Sequence, residues 1–155
     1  MAGYVPYLVH AINNIQITFE NANLQNNINV STAHSTIILG TSFPPSKGTF
    51  SDIVKDSMNF ILQFLQDHGS PFMANVYPYF SYDNNKDSIS LDFVLFKSRS
   101  PMVTDGDLSY TNLLDITFDT LLFAMETMAH ANVPIVITES GWPSIGKDVA
   151  TIGNA

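Results

Sequence analysis

These 155 residues contain no cysteine, which excludes a disulfide framework and any thiolate metal site. That absence leaves the compartment open, because secreted chains without disulfides exist. Basic residues are scarce: six Lys and Arg stand against fourteen Asp and Glu, for a net charge of −8. Six scattered cations form no patch, and binding a phosphate backbone needs clustered Lys and Arg. Nucleic acid is therefore not an expected partner, and a neutral substrate suits the charge better than a polyanion. Charged residues reach only 13% while hydrophobic residues reach 45%, the balance of a folded chain and not of a disordered one. No apolar run approaches the roughly 18 residues of a membrane span. The first sixteen residues, Met1 to Gln16, have no basic start and no long apolar stretch, so no signal peptide is expected. No glycine-rich phosphate loop follows a strand-like run, and no serine sits in a Gly-x-Ser-x-Gly turn. The four histidines, His10, His34, His68 and His130, lack metal-ligand spacing. Neither a metal nor a cofactor is expected, although His34 ends a strand-like run and could line a site.

What is present alternates in type. Val5, Leu8, Val9, Ile12, Ile15 and Phe19 recur every three or four residues, which predicts a helix over 5–24. Residues 28–33 read as a short strand, and Asn29-Val30-Ser31 at its start matches an acceptor sequon, a pattern that arises by chance more often than not at such a place. A loop punctuated by Gly40, Pro44, Pro45 and Gly48 follows. Ser51 is the expected cap of a helix over 52–67, with Ile53, Met58, Ile61, Leu62 and Leu65 on one face. Residues 72–80 read as a strand in which Asn75, Tyr77 and Tyr79 share one face. Residues 81–88 and 97–109 read as loops around a short apolar element, 89–96. A long helix over 110–131 buries Leu113, Leu114, Phe118, Leu121, Leu122, Met125 and Met128, and a strand over 133–138 follows. Helix, strand, helix, strand, helix, strand implies parallel strands with crossover helices. The length is too small for a complete (β/α)8 barrel, which takes about 250 residues. A piece of such a barrel is the expected fold.

One carboxylate stands out. Val133 to Thr138 delivers Glu139 into a Ser-Gly-Trp-Pro turn, and barrel enzymes carry their chemistry at the carboxyl ends of strands. The other two glutamates, Glu20 and Glu126, fall in predicted helices. A surface acid in a turn has the same local pattern as a catalytic one. Tyr77, Tyr79, Phe80 and Trp142 are candidates for stacking on sugar rings, and core packing is the competing fate of aromatics. Cleaving a glycosidic bond takes two carboxylates, about 5–5.5 Å apart where configuration is retained. Asp83, Asp87, Asp105 and Asp107 lie in predicted loops, where most aspartates are turn formers.

Several motifs resemble plant endo-1,3-β-glucanases, glycoside hydrolase family 17. These are Val30-Ser31-Thr32-Ala33, Phe43-Pro44-Pro45-Ser46-Lys47-Gly48, Ala74-Asn75-Val76-Tyr77-Pro78-Tyr79-Phe80, Asp105-Gly106 ahead of Tyr110, and Thr138-Glu139-Ser140-Gly141-Trp142-Pro143-Ser144. The resemblance implies a (β/α)8 barrel that hydrolyses internal 1,3-β-glucosidic bonds with retention, in wall remodelling and defence. It implies Glu139 as nucleophile at the end of the seventh strand. Tyr77 and Phe80 would line the glucan cleft, Ser140, Gly141 and Trp142 would shape the wall, and Asn75 would face the barrel interior. The implied partner is a 1,3-β-glucan polysaccharide or oligosaccharide. The family's general acid sits in an Asn-Glu pair ending the fourth strand. Residues 1–155 are expected to form an incomplete catalytic domain, running from the fourth helix past the seventh strand without strands one to four or strand eight. The chain alone is then expected to be weak or inactive, or a non-catalytic glucan-binding remnant, or a truncated gene product. Its strand edges would favour self-association. Family members are usually secreted or vacuolar.

Overall fold

The computed structural model of the chain describes residues 5–155. Residues 1–4, which open the segment expected to carry no leader, lie outside them. In chain order the elements are α1 (Val5–Asn21), β1 (Ala33–Ser35), β2 (Leu39–Thr41), β3 (Thr49–Phe50), α2 (Lys55–Asp67), β4 (Phe72–Asn75), α3 (Pro78–Asn84), α4 (Leu91–Val94), β5 (Val103–Asp105), β6 (Leu108–Tyr110), α5 (Leu113–Glu126) and β7 (Ile135–Glu139). Strands β1, β4 and β7 form a parallel sheet in that order. Helices α2 and α5 supply the crossovers, as parallel pairing requires. Two small antiparallel pairs, β2–β3 and β5–β6, lie outside this sheet.

The sheet has two unlike faces. Its register puts Met73 beside Ala33 and Val136, and His34 beside Ala74, with Phe72 opposite Ile135. His34, Phe72, Ala74, Ile135 and Ile137 therefore share one face. The helices cover that face. Met58, Ile61, Leu62 and Leu65 of α2 and Leu121, Ala124 and Met125 of α5 are buried with Phe72 and Ala74 in the main core, which Ile12 of α1 joins. Ala33, Ser35, Met73, Asn75, Val136 and Thr138 take the other face, which no helix covers among the described residues. This is the face that leads to Glu139.

Several boundaries differ from the sequence expectation, for physical reasons. Residues 28–32 are not strand. The register carries Ser31 opposite Pro71, which has no N–H to give a ladder. Ser31 instead donates its hydroxyl to the Pro71 carbonyl at 2.6 Å. The run 72–80 splits. Pairing stops at Asn75, and Pro78 opens α3, because its fixed φ and missing N–H suit a first helical turn. The predicted loop 81–88 is thus partly helix. The predicted loop 97–109 contains β5 and β6, turned through Gly106 at φ 59. Ser51 does not cap α2, whose cap position is Val54, and Ile53 is exposed, as is Ile15 of α1. Helix α5 starts at Leu113, not 110, because Asn112 caps it: its Oδ1 accepts from the Asp115 N–H at 2.9 Å while its amide donates to the Asp115 carboxylate at 2.7 Å. It ends before 131, where Ala129 turns to φ 64.

The 3-10 turn Pro45–Lys47 and β3 pack on α5. Gly48 is what permits that approach. A Cβ there would run into the carbonyl and side chain of Thr120. Gly48→Ala should therefore destabilise the fold by about 1–3 kcal/mol, the usual cost of overpacking. Urea unfolding checks this, and an unchanged midpoint would contradict it.

Candidate active site

Strand β7 ends on Glu139, and Asn75 of β4 is its register partner after an irregularity in the pairing. The ladder is sealed just beyond, where the Val76 N–H donates to the Glu139 carbonyl at 2.8 Å. Two side-chain contacts cross between the strand ends. Thr138 donates its hydroxyl to Asn75 Oδ1 at 2.9 Å. Tyr77 donates its hydroxyl to Glu139 Oε2 at 3.0 Å. That second bond holds an exposed carboxylate in one orientation and leaves Oε1 for other chemistry. It also raises the Tyr77 pKa above 10, first through the hydrogen bond to Glu139 and then through desolvation and the carboxylate's charge. The phenol thus remains a donor throughout the neutral range.

The aromatics divide into a platform and its support. Phe80 is 58% exposed and meets Tyr77 edge-on at 5.7 Å. Tyr79 was a stacking candidate, but it is buried on α3 beneath Phe80 and Trp142. It supports the site and cannot stack on a sugar. Trp142 is half-buried. Its ring stands edge-on to Tyr79 at 5.0 Å and tilted to Tyr82 at 6.1 Å. Its N–H donates to the Val149 carbonyl at 2.8 Å. Ser140 and Gly141 are exposed between Glu139 and this anchor, and a Cβ on Gly141 would touch only Tyr77, at 3.9 Å.

The segment after β7 is pinned to α3 a second time. Lys147 pairs with Asp83, which also pairs with Lys86 at 3.2 Å. The ammonium of Lys147, followed by that of Lys86, holds the Asp83 carboxyl below its usual range, and Asp83 in turn raises Lys147. Asp83 is therefore a tether and not a second acid at the site. Asp105 is committed elsewhere, accepting from the Ser46 N–H at 2.7 Å and the Ser46 hydroxyl at 2.8 Å. Glu20 and Glu126 lie on α1 and α5, away from the strand end. His34 does not line the site either: it is buried on the helix-covered face, stacked on Phe72. Among the described residues no group of three His, Asp or Glu converges as a metal site, and no helix is long and apolar enough to cross a membrane.

Thr138, Tyr82 and the Asp83–Lys147 pair escaped the sequence reading. Alternation from Val136 could have given Thr138 its face. Nothing local signals the others, whose partners lie about sixty residues away.

If Tyr77 orients the carboxylate, Tyr77→Phe should lower kcat about tenfold or more, since a hydrogen bond to a charged group is removed. KM should change little. Initial rates on a glycoside whose activated leaving group needs no general acid check this, and a pure KM effect would instead assign Tyr77 to substrate contact.

A parallel sheet with crossover helices and an oriented carboxylate at a strand's carboxyl end belongs to the α/β class whose chemistry sits at that end. Residues 2–155 match the glycosyl hydrolases family 17 model, and the chain belongs to that family. It is 46% identical over 154 residues to a glucan endo-1,3-beta-glucosidase of Vitis vinifera, covering 99% of this chain and 45% of the relative. It is 42% identical over 149 residues to the basic vacuolar isoform of glucan endo-1,3-beta-glucosidase from Nicotiana plumbaginifolia, covering 96% of this chain and 41% of the relative. Among solved structures it superposes on CJP38, a beta-1,3-glucanase and allergen of Cryptomeria japonica pollen. The TM-score is 0.95 at 69% identity, over 99% of this chain and 48% of that one. The chain thus spans somewhat under half the length of these relatives. Its sheet is an arc of a (β/α)8 barrel, as the alternation of elements predicts.

Proposed function

We propose that these residues are the nucleophile-bearing part of a 1,3-β-glucan endohydrolase that acts with retention. The observation that carries this reading is the Tyr77–Glu139 hydrogen bond at the carboxyl ends of two paired strands. Glu139 attacks the anomeric carbon and forms a glycosyl ester while the glycosidic oxygen leaves with a proton from a second acid. Water, deprotonated by that same acid's conjugate base, then cleaves the ester, and two inversions give net retention. Tyr77 keeps one carboxylate oxygen aimed and solvates it when the ester breaks. Asn75 and Thr138 brace the strand ends, Phe80 offers a ring face to the sugar, and Ser140, Gly141 and Trp142 form the adjoining wall. A neutral glucan suits an acidic chain better than an anionic one does.

Asp83 and Asp105 are committed to Lys147 and Ser46, and among the described residues no second carboxylate is hydrogen-bonded to Glu139 or Tyr77. We therefore assign the general acid to sequence outside these 155 residues, which together make up one incomplete catalytic domain. Relatives named as basic vacuolar isoforms support a vacuolar setting. The uncovered sheet face and the outer strands β1 and β7 support self-association where nothing else covers them.

Titration with a dinitrophenyl laminaribioside, whose leaving group needs no acid, followed through Trp142 fluorescence, with azide as the second nucleophile and NMR of the first-formed product, tests the reading. A β-configured glycosyl azide is expected. An α-configured one would overturn it. Binding with no turnover would favour a glucan-binding role, to which the exposed Phe80 would still contribute.

A further inference from the structure

A polar cleft lies at the opposite end of the sheet from Glu139. It encloses about 250 Å³ between the last turn of α1, the loop that leads towards β1, and the end of α2. Two of its lining residues, Asn29 and Ser70, precede β1 and β4, so it sits at the amino ends of the parallel strands. In barrels that end serves stability and not chemistry. Its volume falls below the roughly 300–1,000 Å³ of ordinary small-molecule sites, which suits a single head group.

The charge of this cleft has one sign. Glu20 and Asp67 line it, and among the described residues no Lys or Arg does. Both acids stand where a helix disfavours them. Glu20 is in the last turn of α1 and Asp67 is the last residue of α2, and neither last turn carries a basic residue. The partial negative charge of a helix C-terminus favours a cation there instead. The nearby donors are already turned to the protein. Gln16 donates its amide to Glu20 Oε1 at 3.0 Å, Gln63 donates to Asp67 Oδ1 at 2.7 Å, and His68 Nδ1–H donates to the Phe64 carbonyl at 2.8 Å. Glu20 Oε2 and Asp67 Oδ2 are left to accept, as is Nε2 of the neutral His68 ring.

Ser70 points to a ligand independently. It lines the cleft and is buried, at 0% exposure, yet its hydroxyl has no hydrogen-bond partner. Buried hydroxyls are nearly always paired, because an unpaired one costs stability. A ligand with N–H donors gives Ser70 Oγ the partner that the protein does not supply.

We propose that this cleft binds an organic cation with several N–H donors, a guanidinium or primary ammonium head held between Glu20 and Asp67 over Ser70. The carboxylates repel an anion, and no three His, Asp or Glu among the described residues converge to hold a metal. The bound cation ties the end of α1 to the end of α2. It therefore stabilises the fold and leaves the chemistry at Glu139 unchanged.

Ethylguanidinium, titrated at low salt into the full chain and followed by amide NMR, tests the proposal. Saturable shifts centred on Gln16, Glu20, Asp67 and Ser70 are expected, with a thermal midpoint that rises with ligand concentration. Ethylurea, of the same shape without the charge, should bind about tenfold more weakly or worse. Glu20→Gln and Asp67→Asn should each weaken ethylguanidinium about three- to tenfold. Both acids are exposed at helix C-termini, so losing either charge should not lower the midpoint of the free chain. Ser70→Ala should also weaken binding without lowering that midpoint, since it removes an unpaired hydroxyl; a serine that only packs would leave affinity untouched. An end-capped tripeptide with a central arginine separates the sources of the head group. Binding equal to that of ethylguanidinium means that a protein side chain fits, and weaker binding means that the cleft takes a free amine or guanidine. Shifts that never saturate, equal affinity for ethylurea, or unchanged affinity in all of the variants would overturn the proposal.

Discussion

Glu139→Gln is expected to reduce turnover of an activated substrate, a dinitrophenyl 1,3-β-glucoside, by on the order of 10⁴-fold or more, as removal of a covalent nucleophile does elsewhere. The choice of substrate matters. Dinitrophenolate leaves without being protonated, so the first step asks nothing of a general acid and isolates the contribution of Glu139. The amide has the shape of the carboxylate, and its oxygen can still accept from Tyr77, but it cannot form a glycosyl ester. Because Glu139 is exposed, the thermal midpoint should not move. In the wild-type chain without an acid–base partner, the same substrate should give a burst near one equivalent and then a slow phase, since hydrolysis of the ester needs water to be deprotonated. Azide, an anion that needs no base, should speed that slow phase. A Glu139→Gln rate within tenfold of wild type would remove Glu139 from the mechanism.

The second large effect concerns stability in acid. His34 is buried on the covered face of the sheet, its ring parallel to Phe72 at 5.1 Å and 6°, and its Nε2 has no hydrogen-bond partner. Burial pushes its pKa down from 6.5 to about 4. Above pH 6.5 the ring is neutral in the folded and the unfolded chain and contributes no pH dependence. Below 6.5 the unfolded chain takes up a proton that the folded one refuses, so stability falls as the pH drops from 6.5 towards 4. The loss across that window is about 3 kcal/mol, a large share of the roughly 5–15 kcal/mol that holds a typical domain together. His34→Leu removes the proton uptake. Whatever it does to stability at neutral pH, the difference between urea unfolding at pH 7 and at pH 4.5 should shrink in the variant. An identical pH dependence in both proteins would mean that His34 is not the group responsible.

What could be read along the chain was whatever depends on neighbours in sequence. The stripe Met58, Ile61, Leu62, Leu65 gives α2 its buried face, and the run Val133 to Thr138 gives β7 and delivers Glu139 to its end. The hairpin at Asp105-Gly106 carries a turn signal, a glycine after an aspartate between β-prone runs, but its strands of three residues are too short for alternation to set them apart from loop. Pro78 concealed a helix start, because Val76 and Tyr77 continue the strand's alternation right up to it. Long-range partners were not legible. Tyr77 and Glu139 are 62 residues apart, and Asp83 and Lys147 are 64 apart. Only the parallel register brings each pair together. Alternation along the chain places Tyr77 at the cleft but gives no sign that its hydroxyl bonds the carboxylate. Tyr79 read as a sugar platform because period-2 alternation was carried two residues too far, into a helix that buries it.

The central claim is that Glu139 forms a covalent bond to the sugar. The most direct test is peptide mass mapping of the chain after incubation with a laminaribioside that carries an activated leaving group and a 2-fluoro substituent to slow breakdown of the ester. The account predicts one disaccharide added per chain, carried by the peptide containing Glu139 and absent from Glu139→Gln. A label on any other residue, or an unlabelled chain that still releases the leaving group with inversion at the anomeric carbon, would contradict it.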